Sequence, residues 1–214
     1  MDGASPPANQ ALLIAAIGAF GARGLEGGST RDIARDAGKP MSAITYHFGG
    51  KDGLYLACAQ HIATTLGAML APAIEAEQAG VATGPRASLE NIFDNLVSTM
   101  VRPETEIFAR FVIREQMEPT AAFEILYGGI MGRIFDRIAG LLVEVSNGSL
   151  PAIDARIHTI ALIGQVLVFR VARAAALRSI GWTDIGADET RRIQRVIRTQ
   201  LTAILDSLQQ GQSA

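Results

Sequence analysis

Residues 29–51, STRDIARDAGKPMSAITYHFGGK, constrain this chain more than any other stretch, because they read as two short helices around a tight turn. Ser29 is placed to N-cap the first helix with Asp32 three residues on. This is the S-x-x-D form of a capping box, in which each side chain satisfies an otherwise orphaned backbone N–H. Ile33, Ala34 and Ala37 give that helix one small apolar face. Gly38 supplies the positive φ that ends it, and Pro40, which has no N–H, suits the first turn of the next helix. Ile44 and Phe48 then fall at helical spacing and can bury, leaving Pro40, Met41, Ser42, Thr45 and Tyr46 available to a groove. So short a second helix is unstable alone and must be held from behind. A helix-turn-helix over residues 29–48 is the pattern of a DNA-binding surface.

Charge is placed to match. A net charge of -2 over 214 residues gives no global attraction to nucleic acid, so contact with a duplex must rest on local charge. Residues 37–51 contain Lys39, His47 and Lys51 and no acid, and these two lysines are the only ones in the chain. With 49% hydrophobic and 19% charged residues, the chain can bury a large core, and its length suits a helical body plus a small appended domain. One cysteine, Cys58, excludes an internal disulfide framework and fits a reducing compartment. The segment MDGASPPANQ lacks the basic start and apolar run of a signal peptide. The most apolar stretch, 157–169, spans about 13 residues against roughly 20 for a bilayer crossing, so the expectation is a cytoplasmic protein with no membrane association.

Nearly every segment has a period of 3.6, which predicts an all-α chain. Ser5, Pro6 and Pro7 open a first helix carrying Leu13, Ile17 and Phe20 and closed by Gly24 and the 27–28 glycine pair. A longer helix starts at Lys51 and stops near Pro72, followed by a loop over 78–85. Further helices are expected from Ser88 to Pro103, over 104–118, over 121–145, over 152–178 after the loop 146–151, and over 188–208. The organisation is a three-helix DNA-binding domain at 8–68 and a helical ligand-binding and dimerisation domain at 69–210. In the 152–178 helix, Ile157, Ala161, Gly164 and Val168 share one face while Leu162, Val166 and Phe169 make the other side apolar too, so both sides need cover. With Ile197, Leu201 and Ile204 of the last helix, they are expected to pair with their copies in a second subunit about a two-fold axis. The alternative is a helix buried wholly within its own chain. A two-fold dimer sets two recognition helices about 34–36 Å apart, in successive major grooves, so the target should be an inverted repeat.

Residues 12–24 (LLIAAIGAFGARG), followed by STRDIA, AG, YHF and GGKDGLY, resemble the DNA-binding domain of the TetR family of bacterial transcriptional regulators. Two later stretches, EQMEPTAAFEILY at 115–127 and GQVLVFRVARAAALRSIGW at 164–182, are similar to the C-terminal domain of the CecR-like subgroup. The resemblance implies a homodimer, a helical ligand-binding body, no cofactor and repression relieved by a small molecule. It also implies that Thr30, Tyr46, His47 and Lys51 hold phosphates while Pro40, Met41, Ser42 and Thr45 face base edges. Lys39 departs from the family pattern, which has an apolar residue in the turn, and is read as facing solvent or a phosphate.

The effector is less legible. Polar groups set among apolar stripes mark an expected pocket: Glu115, Tyr127, His158 and Gln165, with Phe169 beside them and Arg110 and Arg170 as positive charges. An enzyme is disfavoured, since three scattered histidines form no metal cluster and no phosphate-cradling loop or paired nucleophile and base occurs. A helical small-molecule-binding or scaffold protein without DNA function would leave the capped turn and the acid-free 37–51 segment unexplained.

Overall fold

The computed structural model describes residues 8–78 and 84–210, and among them every regular element is a helix. In chain order these are α1 (Ala8–Gly27), α2 (Thr30–Asp36), α3 (Ser42–Phe48), α4 (Lys51–Gln78), α5 (Pro85–Val101), α6 (Glu106–Met117), α7 (Ala121–Leu126), α8 (Gly132–Val145), α9 (Ala152–Val171), α10 (Arg173–Ile180) and α11 (Ala187–Gln210). A 3₁₀ turn, Pro103–Thr105, precedes α6, and a π-helical turn, Tyr127–Met131, joins α7 to α8. The expected opening at Ser5 to Pro7 lies outside the described residues, as does most of the loop placed at 78–85.

Four boundaries differ from expectation. The helix α4 continues through Pro72 to Gln78, because a proline removes only one hydrogen bond and a long helix can absorb that loss. Pro85, not Ser88, opens α5, in keeping with the preference for proline at a first helical position; Ser88 is buried inside the helix. The 121–145 helix is interrupted at Gly128 and Gly129, where the π turn sits. The 152–178 helix breaks at Ala172 into α9 and α10.

The chain forms two compact units, Met1–Thr65 with Glu106–Ile130, and Leu66–Thr105 with Met131–Ala214. By compactness α6 and α7, expected in the C-terminal domain, fall in the same unit as α1, α2 and α3. In the first unit α1 lies along α6 and against α2. Its core holds Leu12, Ile17 and Phe20 of α1, Leu54, Cys58 and Ile62 of α4, and Phe108 and Phe111 of α6; Leu12 fills the place expected of Leu13.

Tyr55 is the hub of that core. Its ring meets Phe20 edge-on at 5.0 Å and Phe111 at 4.7 Å. Its hydroxyl donates to Glu115 Oε1 at 2.5 Å, and Thr120 donates to Glu115 Oε2 from both its backbone N (3.1 Å) and Oγ1 (2.9 Å). Glu115 is 0% exposed, so these three donors replace the water its carboxylate has lost. Burial first, and then the bond to Glu115, push the Tyr55 phenol well above its ordinary range, so it stays the donor.

In the second unit α5 packs against α8, α9 and α11. Phe93, Leu96 and Val97 of α5 share the core with Ile138 and Leu142 of α8, Leu162 and Val166 of α9, and Ile197 and Leu201 of α11. Arg170 is buried and donates to the carbonyls of Met100 (2.6 Å) and Arg102 (2.5 Å) and to Thr105 Oγ1 (3.0 Å), which covers the C-terminal end of α5. On α11, Arg198 pairs with Asp94 and lies 3.8 Å from Glu90, fixing α11 along α5.

Gly53 sets the junction of α3 and α4, since a Cβ built there would fall 1.8 Å from the Phe48 carbonyl oxygen. Gly53→Ala is therefore expected to lower stability by ~1–3 kcal/mol in urea denaturation, the usual effect of overpacking. An unchanged midpoint would show that the junction yields freely.

Candidate nucleic-acid interface

The reading surface is built from its caps upward. Ser29 Oγ accepts from Asp32 N at 3.3 Å, the first half of the expected capping box, while the Asp32 carboxylate pairs with Arg35 at 2.7 Å. The turn closes as expected: Ala37 N donates to Ile33 O, Lys39 N donates to Ala34 O, and Gly38 has φ 63°. Pro40 lies just ahead of α3, and its carbonyl accepts from Ala43 N at 3.0 Å. Met41 is the N-cap residue, and its side chain makes no capping bond.

Ile44, 2% exposed, is the residue of α3 that anchors it to the unit, with Phe48 half-buried beside it. Pro40, Met41, Ser42, Thr45, Tyr46 and His47 are all exposed, as a groove-facing set requires. Tyr46 is 85% exposed and its ring lies edge-on to His47 at 4.9 Å. Thr30 and Lys39 are half-buried. Lys51 is turned inward enough for its Nζ to donate to Glu26 O at 2.9 Å, which ties the end of α1 to the start of α4.

The second expected surface divides in two. Ile157 and Ile160 of α9 are 59% and 62% exposed, and Ala161, Gly164 and Val168 are exposed with them. On α11, however, Ile197 and Leu201 are buried within the chain, where α11 packs on α5, and Ile204 is half-buried. Ile197 and Leu201 are thus covered by their own chain, while Ile204 keeps part of its surface. What α11 leaves exposed is Val196. By length and composition α9, with mean hydropathy 1.5, and Lys51–Pro72, with 1.3, could each cross a membrane. Leu162, Ile163 and Val166 on the other side of α9 are nevertheless packed inside the chain, so its exposed apolar surface is one face only.

The residues expected to line a pocket have varied settings. Glu115 is committed to Tyr55 and Thr120, and Arg170 to the end of α5. Arg110 is exposed, and Tyr127 stacks on Phe123 at 5.8 Å at the start of the π turn. His158, Gln165 and Phe169 are half-buried on α9. Among the described residues, Gln165 Oε1 is buried with no hydrogen-bond partner. The sequence pattern did not single out Tyr55, although its place one helical turn before Cys58 marks it as inward-facing.

Comparison with known proteins decides the family. The model for bacterial regulatory proteins of the tetR family matches residues 12–58. The model for the C-terminal domain of the HTH-type transcriptional dual regulator CecR matches residues 85–208. The HTH-type transcriptional dual regulator CecR of Shigella flexneri is 32% identical over 209 residues, covering 95% of this chain and 93% of that protein. This chain belongs to the TetR family.

Solved structures of similar fold agree. A transcriptional regulator from Pseudomonas aeruginosa PAO1 has a TM-score of 0.71 at 17% identity, covering 94% of this chain and 92% of that one. SCO4454, a TetR-family regulator from Streptomyces coelicolor, has a TM-score of 0.66 at 16% identity, covering 94% and 96%. AibR, solved with isovaleryl coenzyme A and operator DNA, has a TM-score of 0.67 at 14% identity, covering 91% and 97%. As a TetR-family member the chain is a DNA-binding transcriptional regulator, with its helix-turn-helix at α2 and α3. Ile44→Ala should cost ~2–4 kcal/mol by leaving a cavity under α3. Thermal denaturation is expected to show the loss; a stability within ~0.5 kcal/mol of the parent would mean that Ile44 does not anchor the helix.

Proposed function

We propose that this TetR-family regulator acts as a homodimer that represses from an inverted-repeat operator and is released by a small molecule. The observation that carries the reading is the pairing, in one chain, of an exposed reading face on α3 with an exposed apolar face on α9. Ile153, Ile157, Ile160, Gly164, Val168 and Val171 recur every three or four residues, the spacing of a helix seam. A second copy of the same helix about a two-fold axis covers such a stripe with itself. Two α3 helices then meet successive major grooves, with phosphate contacts from Thr30, Tyr46 and His47 setting the register and Pro40, Met41, Ser42 and Thr45 selecting the bases. Lys39 and Lys51 add the local positive charge; Lys51 reaches a phosphate by exchanging its bond to the Glu26 carbonyl.

The effector is proposed to be a small, partly apolar compound. AibR, of similar fold, was solved with both an acyl-coenzyme A and operator DNA, which supports one fold serving both ligands. Among the candidate contacts Gln165 is favoured, because a ligand donor would satisfy its lone buried oxygen. Release requires that the ligand bind the DNA-free arrangement more tightly than the DNA-bound one. The relative's description as a dual regulator supports a second reading, activation at some promoters. Either role works by binding and not by catalysis, and places the protein in the cytoplasm with the chromosome.

Ile160→Glu tests the assembly. Because Ile160 is exposed in the single chain, the variant should fold, sediment as a monomer and bind a selected operator about a hundredfold or more weakly through lost avidity. A dimer of unaltered operator affinity would refute α9 as the interface.

A further inference from the structure

We propose that Met41 reads thymine, laying its apolar side chain against the C5-methyl group that thymine presents in the major groove. The proposal rests on the operator reading above and adds to it the chemical feature that is recognised. Met41 is 58% exposed, beside Pro40, Ser42 and Thr45 on the outward side of α3. A long apolar side chain standing in water is unfavourable unless a partner covers it.

Its position sharpens the point. Met41 directly precedes α3 with helical backbone dihedrals (φ -59°, ψ -32°), and its side chain makes no hydrogen bond to the helix end. The hydroxyls of Ser42 and Thr45 can donate or accept and so pair with several base edges. A thioether is at best a weak acceptor, but it is polarisable and adapts well to apolar surfaces. The apolar group that the major groove offers it is the thymine methyl. Residues at the start of a recognition helix are the ones that approach base edges.

The test starts from duplexes selected from a random pool by the full-length protein, resynthesised with deoxyuridine in place of one thymine at a time. That exchange deletes the methyl group alone. One symmetry-related pair of thymines should then weaken wild-type binding about fourfold per half-site, the effect of losing one buried methyl. Met41→Ala should bind the thymine and uracil duplexes equally, and Met41→Leu should keep the distinction. Met41→Ser, which removes the apolar surface and leaves a small polar group, should lose the distinction. The proposal is overturned if the parent senses no methyl group, or if Met41→Ala senses it as strongly as the parent. Recovery of no duplex at all would overturn the operator reading, and is distinguishable as absent binding in place of binding without methyl discrimination.

Discussion

A seven-residue helix cannot hold itself together in water, and the function of this chain depends on holding one in place while leaving most of its surface bare. The fold meets that constraint with little contact area. Ile44 enters the core, Phe48 sits half-buried, and the start of α4 closes so tightly on the end of α3 that only a glycine fits at position 53. Ser42, Thr45, Tyr46 and His47 are left exposed. Four exposed residues of the helix, with Pro40 and Met41 just ahead of it, follow from one well-anchored one.

The platform beneath is itself tied by a buried carboxyl group. Glu115 sits wholly inside the first unit, and three donors from Tyr55 and Thr120 take the place of water. Such a group cannot lose a donor without a penalty of ~1–3 kcal/mol, so it fixes α4, α6 and the cap of α7 in one arrangement. The structure therefore makes α6 and α7 part of the unit that carries the reading head, not simply neighbours of it. A change at α6 would act on a body that shares its core with α1 and α4.

The sequence showed the helix-turn-helix clearly because its determinants are local. A capping serine, a glycine at positive φ, a proline at the next helix and two apolar residues at helical spacing fix it without long-range information. The inward helices were equally legible from their period. What was not legible depended on partners far away in sequence. Glu115 looked like a pocket residue because a carboxylate in an apolar stripe suggests a ligand, and its true partner, Tyr55, lies sixty residues earlier. Ile197 and Leu201 looked like an interface because a stripe does not say what covers it, and α5 covers them. The neighbouring stripe on α9 has the same pattern and remains exposed. Pro72 misled about a helix end, since a breaker marks where a helix can yield and not where it must stop; at the 128–129 glycines the reverse held, a continuous helix being expected where a π turn intervenes.

The central claim is that this body presents α3 twice, at groove spacing, on one face of a duplex. Native mass spectrometry of the full-length protein with a selected operator duplex tests it most directly, by counting chains per DNA as protein is titrated in. The account predicts complexes carrying two chains, with the one-chain complex scarcely populated at any ratio. A complex that saturates at one chain per duplex would contradict it.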